Sequence, residues 1–401
     1  MATLAGYEVT SGVHPETTTL RNALAYSGVR APHTGHPYSE AMILGIGGGL
    51  GAGYILWEFK EHNAKVLVLG FRKDWQYPVR YMQTVCDRLN VRCSVLETSG
   101  RAAADKNLRD AIDHGQPAIT WMDRAHLPYY QLPEAMKGHT GHIVTVYGLD
   151  ADTVQVADLG SAPLTVPANV FADGRARIGS YKNRVMLVHG ESAGPVDLPA
   201  AILAGIHDCA EHLSGPSDSF SLPTLRKWGR LIIDGKNAKG WRKVFADRVG
   251  LYSALKSIYE GVAIIGTGGD GLRGLYADFL AEAAPVIGKP ALNDVTAAYR
   301  ALAAQWADLA ESALPEGVAP LAETRALLKQ RDALLLAGGD AALAEMQPLT
   351  DQLSAMSRQY NRAFPMADAD VDALFETLSG KLLAIYEAEV AAVKQLQAAV
   401  G

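Results

Sequence analysis

Strand-forming sequence in this chain stops near residue 189. Before that point short β-rich runs recur at 53–59 (GYILWEF), 65–71 (KVLVLGF), 93–97 (CSVLE), 117–122 (PAITWM), 142–149 (HIVTVYGL), 153–158 (TVQVAD) and 184–189 (RVMLVH). From Leu198 onward the sequence is alanine-rich with helical periodicity. Only glycine and proline break it, at Gly215-Pro216, 266–269, Pro315 to Gly317 and Gly338-Gly339. Strands confined to one half cannot wind a regularly alternating parallel sheet, so the expectation is an α+β fold. Two domains follow, a mixed one over 1–192 and a helical one over 198–401.

Within the first half, ETTTLRNALAY (16–26) places Leu20, Ala23 and Leu24 at helical spacing. Residues 75–89 and 102–114 also read as helices. The segment HIVTVYGLDADTVQVADLG has two β-rich runs around Leu-Asp-Ala-Asp and predicts an antiparallel hairpin. In the second half Trp228, Trp241 and Tyr276 are candidates for packing or for lining a pocket.

Charge narrows the function classes. Lys and Arg number 37 against 43 Asp and Glu, a net charge of −6, which disfavours a nucleic-acid binder. Three cysteines, Cys86, Cys93 and Cys209, form no CxxC pair and suit a reducing compartment. The first residues lack the basic and apolar regions of a signal peptide, and no apolar run approaches the ~20 residues of a membrane span. A cytoplasmic protein with a small-molecule substrate, no nucleic acid and no membrane contact is expected. The alanine-rich terminal helices are a candidate homodimer interface.

Two glycine-rich stretches invite a phosphate-loop reading, because amides without side chains can cradle an anion. The run Gly47, Gly48, Gly49 precedes a strand-like segment instead of opening a helix, and no Lys-Ser or Lys-Thr pair accompanies it. It reads as a tight turn with close packing. GTGGDG (266–271) reads as a loop leading into a helix. His-Thr-Gly-His occurs at 33–36 and 139–142 without an HExxH helix, and strand alternation separates His139 from His142. Asp368, Asp370 and Asp372 lack the glycine and closing glutamate of a calcium loop and suit a helix N-terminus. Neither a metal nor an organic cofactor is expected.

The constellation with the most chemical content is His142 on the first hairpin strand and Asp158 at the end of the second. Antiparallel pairing can set them side by side across 16 positions of sequence. A carboxylate that holds one imidazole nitrogen leaves the other as a general base.

Three segments, GVHPETTTLRNALAYSGV (12–29), YSEAMILGIGGGLGAGY (38–54) and GHIVTVYGLDADTVQVADLG (141–160), resemble the N-terminal domain of the butirosin biosynthesis protein H family. LRKWGRLIIDGKNAKGWRKVF (225–245) and GTGGDGLRGLYADFLAEAA (266–284) resemble the helical domain that commonly follows it. The resemblance implies a papain-like helix-plus-antiparallel-sheet domain followed by an all-α domain. It also implies acyl transfer from a carrier-protein thioester onto an amine. On that pattern His142 and Asp158 match the base and its orienting acid. The nucleophilic cysteine should follow a histidine at the helix start. Here His14 is followed by Pro15.

Proline suits the first helical turn but offers no nucleophile. Three readings stay open. In the first, a nucleophile-free enzyme of specialised metabolism uses His142 and Asp158 for amide-forming, condensation or cyclisation chemistry. Its substrate could arrive on an acyl carrier protein, with Glu16 as a second acid or base. In the second, a threonine hydroxyl at 17–19, with Thr18 as the candidate, forms a covalent acyl-enzyme. In the third, the protein is a non-catalytic binding or scaffold partner. Candidate substrate-binding residues within the matching segments are His14, Glu40, Gly47, Gly48 and Gly49.

Overall fold

The computed structural model describes residues 2–401. The strands in chain order are β1 (Ala2–Thr3), β2 (Leu50–Phe59), β3 (Ala64–Arg72), β4 (Arg92–Leu96), β5 (Ala118–Asp123), β6 (Gly141–Leu149), β7 (Thr153–Ala157), β8 (Leu164–Pro167) and β9 (Val185–His189). The first helices are α1 (Pro15–Tyr26), α2 (Glu40–Ile46), α3 (Pro78–Arg88), α4 (Arg101–Asp113) and α5 (Ala168–Arg177). Then come α6 (Leu198–Ser214), α7 (Pro223–Ile233), α8 (Trp241–Val244), α9 (Leu251–Tyr259) and α10 (Arg273–Val286). The chain ends in α11 (Leu292–Ala313), α12 (Ala319–Gly338), α13 (Leu343–Tyr360) and α14 (Asp368–Val400). The fold is α+β, and no strand among the described residues follows β9. None of these helices is long and apolar enough to cross a membrane.

The chain divides into two compact units that interleave in sequence. The first takes residues up to 43, then 82–198 and 331–350; the second takes 44–81, 199–330 and 351–401. The sequence suggests a single junction between 192 and 198. The central segment of the first unit ends at Leu198, and the second unit resumes at Pro199. The ribbon β2–β3, however, belongs with the helices, and 331–350 returns to the sheet.

In the first unit seven strands form one antiparallel sheet in the order β4-β9-β5-β6-β7-β8, with β1 beside β6. β5 is buried throughout and β6 everywhere but Gly141, so their sequences run apolar without strict alternation. Leu108, Ala111 and Ile112 of α4 and Phe171 of α5 share a core with Val144, Val146 and Val156. The helix α1 packs on β5 and β6. The short strands β1 and β8 carry too few residues for a periodic signal.

In the second unit β2 and β3 pair antiparallel and lie against α7 and α9. Trp228, Trp241 and Tyr276 are completely buried, which makes them packing residues and not pocket lining. Trp228 stacks on Tyr54 at 5.0 Å between ring centres. The Trp241 indole N–H donates to the Tyr54 hydroxyl at 3.0 Å. In the same unit Arg273 and Glu389, both fully buried, bond at 2.7 Å, and the Trp306 indole donates to the same carboxylate oxygen at 3.1 Å. Removing one member of such a pair strands a charge in the core. Arg273→Met is expected to lower stability by about 3–5 kcal/mol, read from the urea unfolding curve, with Arg273→Met/Glu389→Leu recovering much of the loss.

Candidate active site

The hairpin β6–β7 turns at Asp150, whose Oδ1 accepts the amides of Asp152 (2.9 Å) and Thr153 (2.8 Å). Near that turn Leu149 faces Val154 and Gly148 faces Gln155. Farther along, Val146 faces Val156 and Thr145 faces Ala157. The shift means that β6 carries one extra residue, a bulge at Tyr147. Its effect is decisive for the site. Extended from the turn without the bulge, the ladder would set Asp158 opposite Thr145 and on the other face from His142. With it, Asp158 shares the face of Val144 and lies diagonal to His142, a spacing long side chains can bridge.

The two side chains do meet. His142 Nε2 lies 2.8 Å from Asp158 Oδ2 and 3.0 Å from Oδ1. Facing a carboxylate, Nε2 carries the hydrogen, and Nδ1 is the nitrogen left to act as a base. Two tyrosines complete the network. The hydroxyls of Tyr129 and Tyr130 donate to Asp158 Oδ2 at 2.9 and 3.0 Å. Tyr130 Oη also stands 3.3 Å from His142 Nε2, with its ring edge-on to the imidazole. Burial pushes the Asp158 carboxyl up, but the His142 charge and the three hydrogen bonds outweigh it and hold it below the usual carboxylate range. Burial, then the charge of Asp158, push both tyrosine hydroxyls well above their ordinary value, so they remain donors.

Behind the carboxylate lies a crevice of about 10 Å³, room for one water. Tyr129, Tyr130, Leu159, Leu164, Leu335 and Leu336 line it. The last two belong to the 331–350 segment, which is fastened to the same unit. Asp340 Oδ2 accepts from the amide (2.8 Å) and hydroxyl (2.6 Å) of Thr165, and the Gln131 side chain donates to Leu343 O at 3.0 Å.

The start of α1 comes close to the hairpin in two places. The Gly12 amide donates to Leu159 O at 2.9 Å, one residue after Asp158. The Tyr181 hydroxyl lies where a Cβ on Gly141 would stand, and burial first, then the charge of Glu16, push it above its ordinary value. Glu16 itself pairs with His14 Nε2 at 2.7 Å.

Glu40 corrects the expectation of a substrate contact. Its buried carboxylate accepts the amides of Val13 and His14 at 2.8 Å each and the hydroxyls of Thr17 (2.6 Å) and Thr18 (2.9 Å). It caps a helix that has no capping side chain of its own at His14. The same contacts correct Thr18 as a nucleophile: its side chain is buried and its proton is committed to Glu40. Gly12 permits the arrangement, since a Cβ there would sit 2.1 Å from Thr18 Oγ1.

Gly47, Gly48 and Gly49 lie at a helix end. Gly48 (φ +105°) and Gly49 (φ +65°) end α2, their amides donating to Gly45 O and Leu44 O at 3.0 and 2.9 Å. A Cβ on Gly47 would sit 2.2 Å from the Tyr81 ring, and one on Gly49 would sit 2.5 Å from that of Tyr276. The run is a helix stop with close packing, and its amides at 48 and 49 are not available to an anion.

Sequence reasoning missed Tyr129 and Tyr130, which sit in a single 3-10 turn, Pro128–Tyr130, too short for any periodicity to mark them. It also missed a second couple: His126 Nδ1 lies 2.9 Å from Asp123 Oδ2. Asp123 also accepts from the Gly138 amide (2.7 Å) and the Thr140 hydroxyl (2.6 Å), so this pair pins the loop leading into β6. Among the described residues no group of three or more His, Cys, Asp or Glu side chains is placed to hold a metal.

An α+β sheet domain carrying a buried, oriented imidazole, joined to helices, defines the class. Residues 14–159 match the family described as Butirosin biosynthesis protein H, N-terminal, and residues 172–330 match a Domain of unknown function (DUF4872). The chain belongs to the butirosin biosynthesis protein H-like family, which associates it with antibiotic biosynthesis. No curated protein matches it.

Because Asp158 is held below its unfolded value of about 3.9, the stability it contributes is complete above that pH and lost as pH falls through the lowered folded value. Asp158→Asn is expected to cost about 2–4 kcal/mol at pH 7. By chemical denaturation the gap from wild type should stay level down to about pH 5 and narrow progressively once the pH falls below about 4. Glu40→Ala, which leaves several helix-start donors without an acceptor, should cost about 2–3 kcal/mol and increase amide exchange in the first turn of α1.

Proposed function

We propose that this protein is a biosynthetic enzyme in which His142, oriented by Asp158, acts as general base for amide-forming, condensation or cyclisation chemistry without a covalent enzyme intermediate. The 2.8 Å contact between His142 Nε2 and Asp158 carries the reading, because it fixes the tautomer and leaves Nδ1 basic. For an amide-forming turnover, the substrate amine attacks an activated acyl carbon and the C–N bond forms. Nδ1 takes the nitrogen's proton and returns it to the departing thiol as the C–S bond breaks. Asp158 stabilises the imidazolium in between.

Several observations support this over acylation of the protein. Pro15 stands at the position where the family pattern implies cysteine, and Thr17 and Thr18 are buried with their hydroxyls on Glu40. His142 is only 7 % exposed, which suits a donor whose reacting end arrives on a slender arm, such as a thioester carried by an acyl carrier protein. The helix start beside the hairpin and the antiparallel sheet agree with a relationship to papain-like enzymes. The small crevice and the sealed helix start favour one rival, a protein that binds its partner without turnover.

An aminoacyl N-acetylcysteamine thioester and a primary amine provide the probe. Product without any mass adduct on the protein is expected, with His142→Ala and Asp158→Asn each lowering turnover by roughly 10²–10⁴-fold. An acyl adduct that disappears in Thr18→Val would replace this reading with the covalent one. Thioester binding without product, equal in wild type and both variants, would leave the non-catalytic one.

A further inference from the structure

The ribbon β2–β3 has two different faces. One carries Tyr54, Leu67, Leu69 and Phe71 and is covered within its own unit: Tyr54 stacks on Trp228, and Phe71 meets Trp306 edge-on at 5.0 Å. The Leu67 amide donates to Ser257 Oγ at 2.8 Å, which ties β3 to α9. The cross-strand pairs Ile55–Val68 and Trp57–Val66 define the opposite face. There Trp57 is 47 % and Val68 38 % exposed.

That face continues past the strands. Gly53 and Gly70 oppose each other, and the Trp75 indole lies on them. A Cβ at either position would stand 2.8 or 2.3 Å from its atoms. Phe220 adjoins Trp75 at 6.2 Å between ring centres and is 37 % exposed. The result is one apolar strip made of Ile55, Trp57, Val66, Val68, Trp75 and Phe220. Contiguous exposure of this kind marks an interaction surface.

Charge decides what the strip can receive. Between Gly53 and Gly70 the outward face carries no Asp, Glu, Lys or Arg. The charged strand residues there, Glu58 and Lys65, point to the other side, 3.9 Å apart, with Lys65 donating to Val249 O. A nucleic acid or an acidic carrier-type protein would need cations that the strip lacks. A two-fold contact has the opposite requirement. It sets the side chains at its axis against their own copies, so a charge there would meet a like charge. An uncharged aromatic and β-branched strip satisfies that condition.

We propose that the outer face of the β2–β3 ribbon is the contact through which two copies of this chain form a two-fold dimer. Each copy carries a net charge of −6, so long-range repulsion opposes association and salt screens it. Sedimentation velocity over a concentration series up to about 100 µM should resolve a species of twice the chain mass that becomes more populated as salt is raised. Trp57→Glu/Val68→Glu should weaken association by at least about tenfold, and Trp57→Gln, which leaves the fold less burdened, should weaken it in the same direction. Far-UV circular dichroism should be unchanged in both. A monomer across the whole series overturns the proposal. So does a dimer whose dissociation constant neither variant moves, which would put the contact elsewhere, for instance on the terminal helices. A monomeric chain that instead captures an acyl carrier protein, and loses it in Trp57→Gln, also overturns it.

Discussion

A carboxylate buried under a sheet must be given donors or it will take up a proton, and Asp158 determines much of the first unit for that reason. Three donors converge on it, from His142 on β6 and from Tyr129 and Tyr130 in the loop beyond β5. The loop is not self-supporting. Gln131, which follows it with a left-handed backbone at φ +48°, is gripped by Leu343 O and by the Thr350 hydroxyl at 2.7 Å. Here lies a physical reason for the return of residues 331–350 to the sheet unit after a long helical excursion. The segment roofs the tyrosines that keep Asp158 charged, and a charged Asp158 is what keeps the imidazole oriented.

The bulge at Tyr147 is the second condition. A hairpin read from its turn has a definite register, and one extra residue reverses which face every later side chain takes. Were the same residues of β6 paired without the bulge, in the register the turn sets, His142 and Asp158 would be on opposite sides of the sheet. The bulge places no demand on the strand's composition, since Tyr147 and Gly148 would be acceptable in an unbroken ladder too. It therefore has no sequence signature as clear as its consequence.

Much of the fold was legible for a simple reason. The seven β-rich runs correspond to β2–β7 and β9, and the change of composition after 189 corresponds to the end of strand structure. Burial writes hydrophobic runs into a sequence directly. The pairing of His142 with Asp158 was legible as well, because a hairpin limits which distant residues can meet. What periodicity cannot express is which unit a strand joins: GYILWEF and KVLVLGF look like the other strands but form a ribbon of their own. Nor can it express reciprocal polar contacts. Glu40 looks like a free first-turn acid of α2, yet its geometry makes it the cap of α1, 22 to 27 residues earlier. The glycines at 47–49 match an anion cradle only if their amides are free, and the chain folds them into a helix stop.

These contacts bear on what chemistry the site can support. Acyl transfer through a tetrahedral intermediate needs preorganised donors where the oxyanion develops, and a helix start is a ready source of them. In this chain that source is largely closed. Val13 and His14 give their amides to Glu40, and Pro15 has none to give. The amides of Gly48 and Gly49 are bonded to carbonyls. In addition, Glu40 brings a carboxylate to the helix start, where a second anion would be repelled. The imidazole, by contrast, has a buried anion directly behind it, which stabilises positive charge. The electrostatics thus favour a reaction in which a cation forms on His142 over one that must build an isolated oxyanion at the start of α1. On these grounds the residues suit the proposed proton abstraction by His142 better than acylation of a side chain at the start of α1.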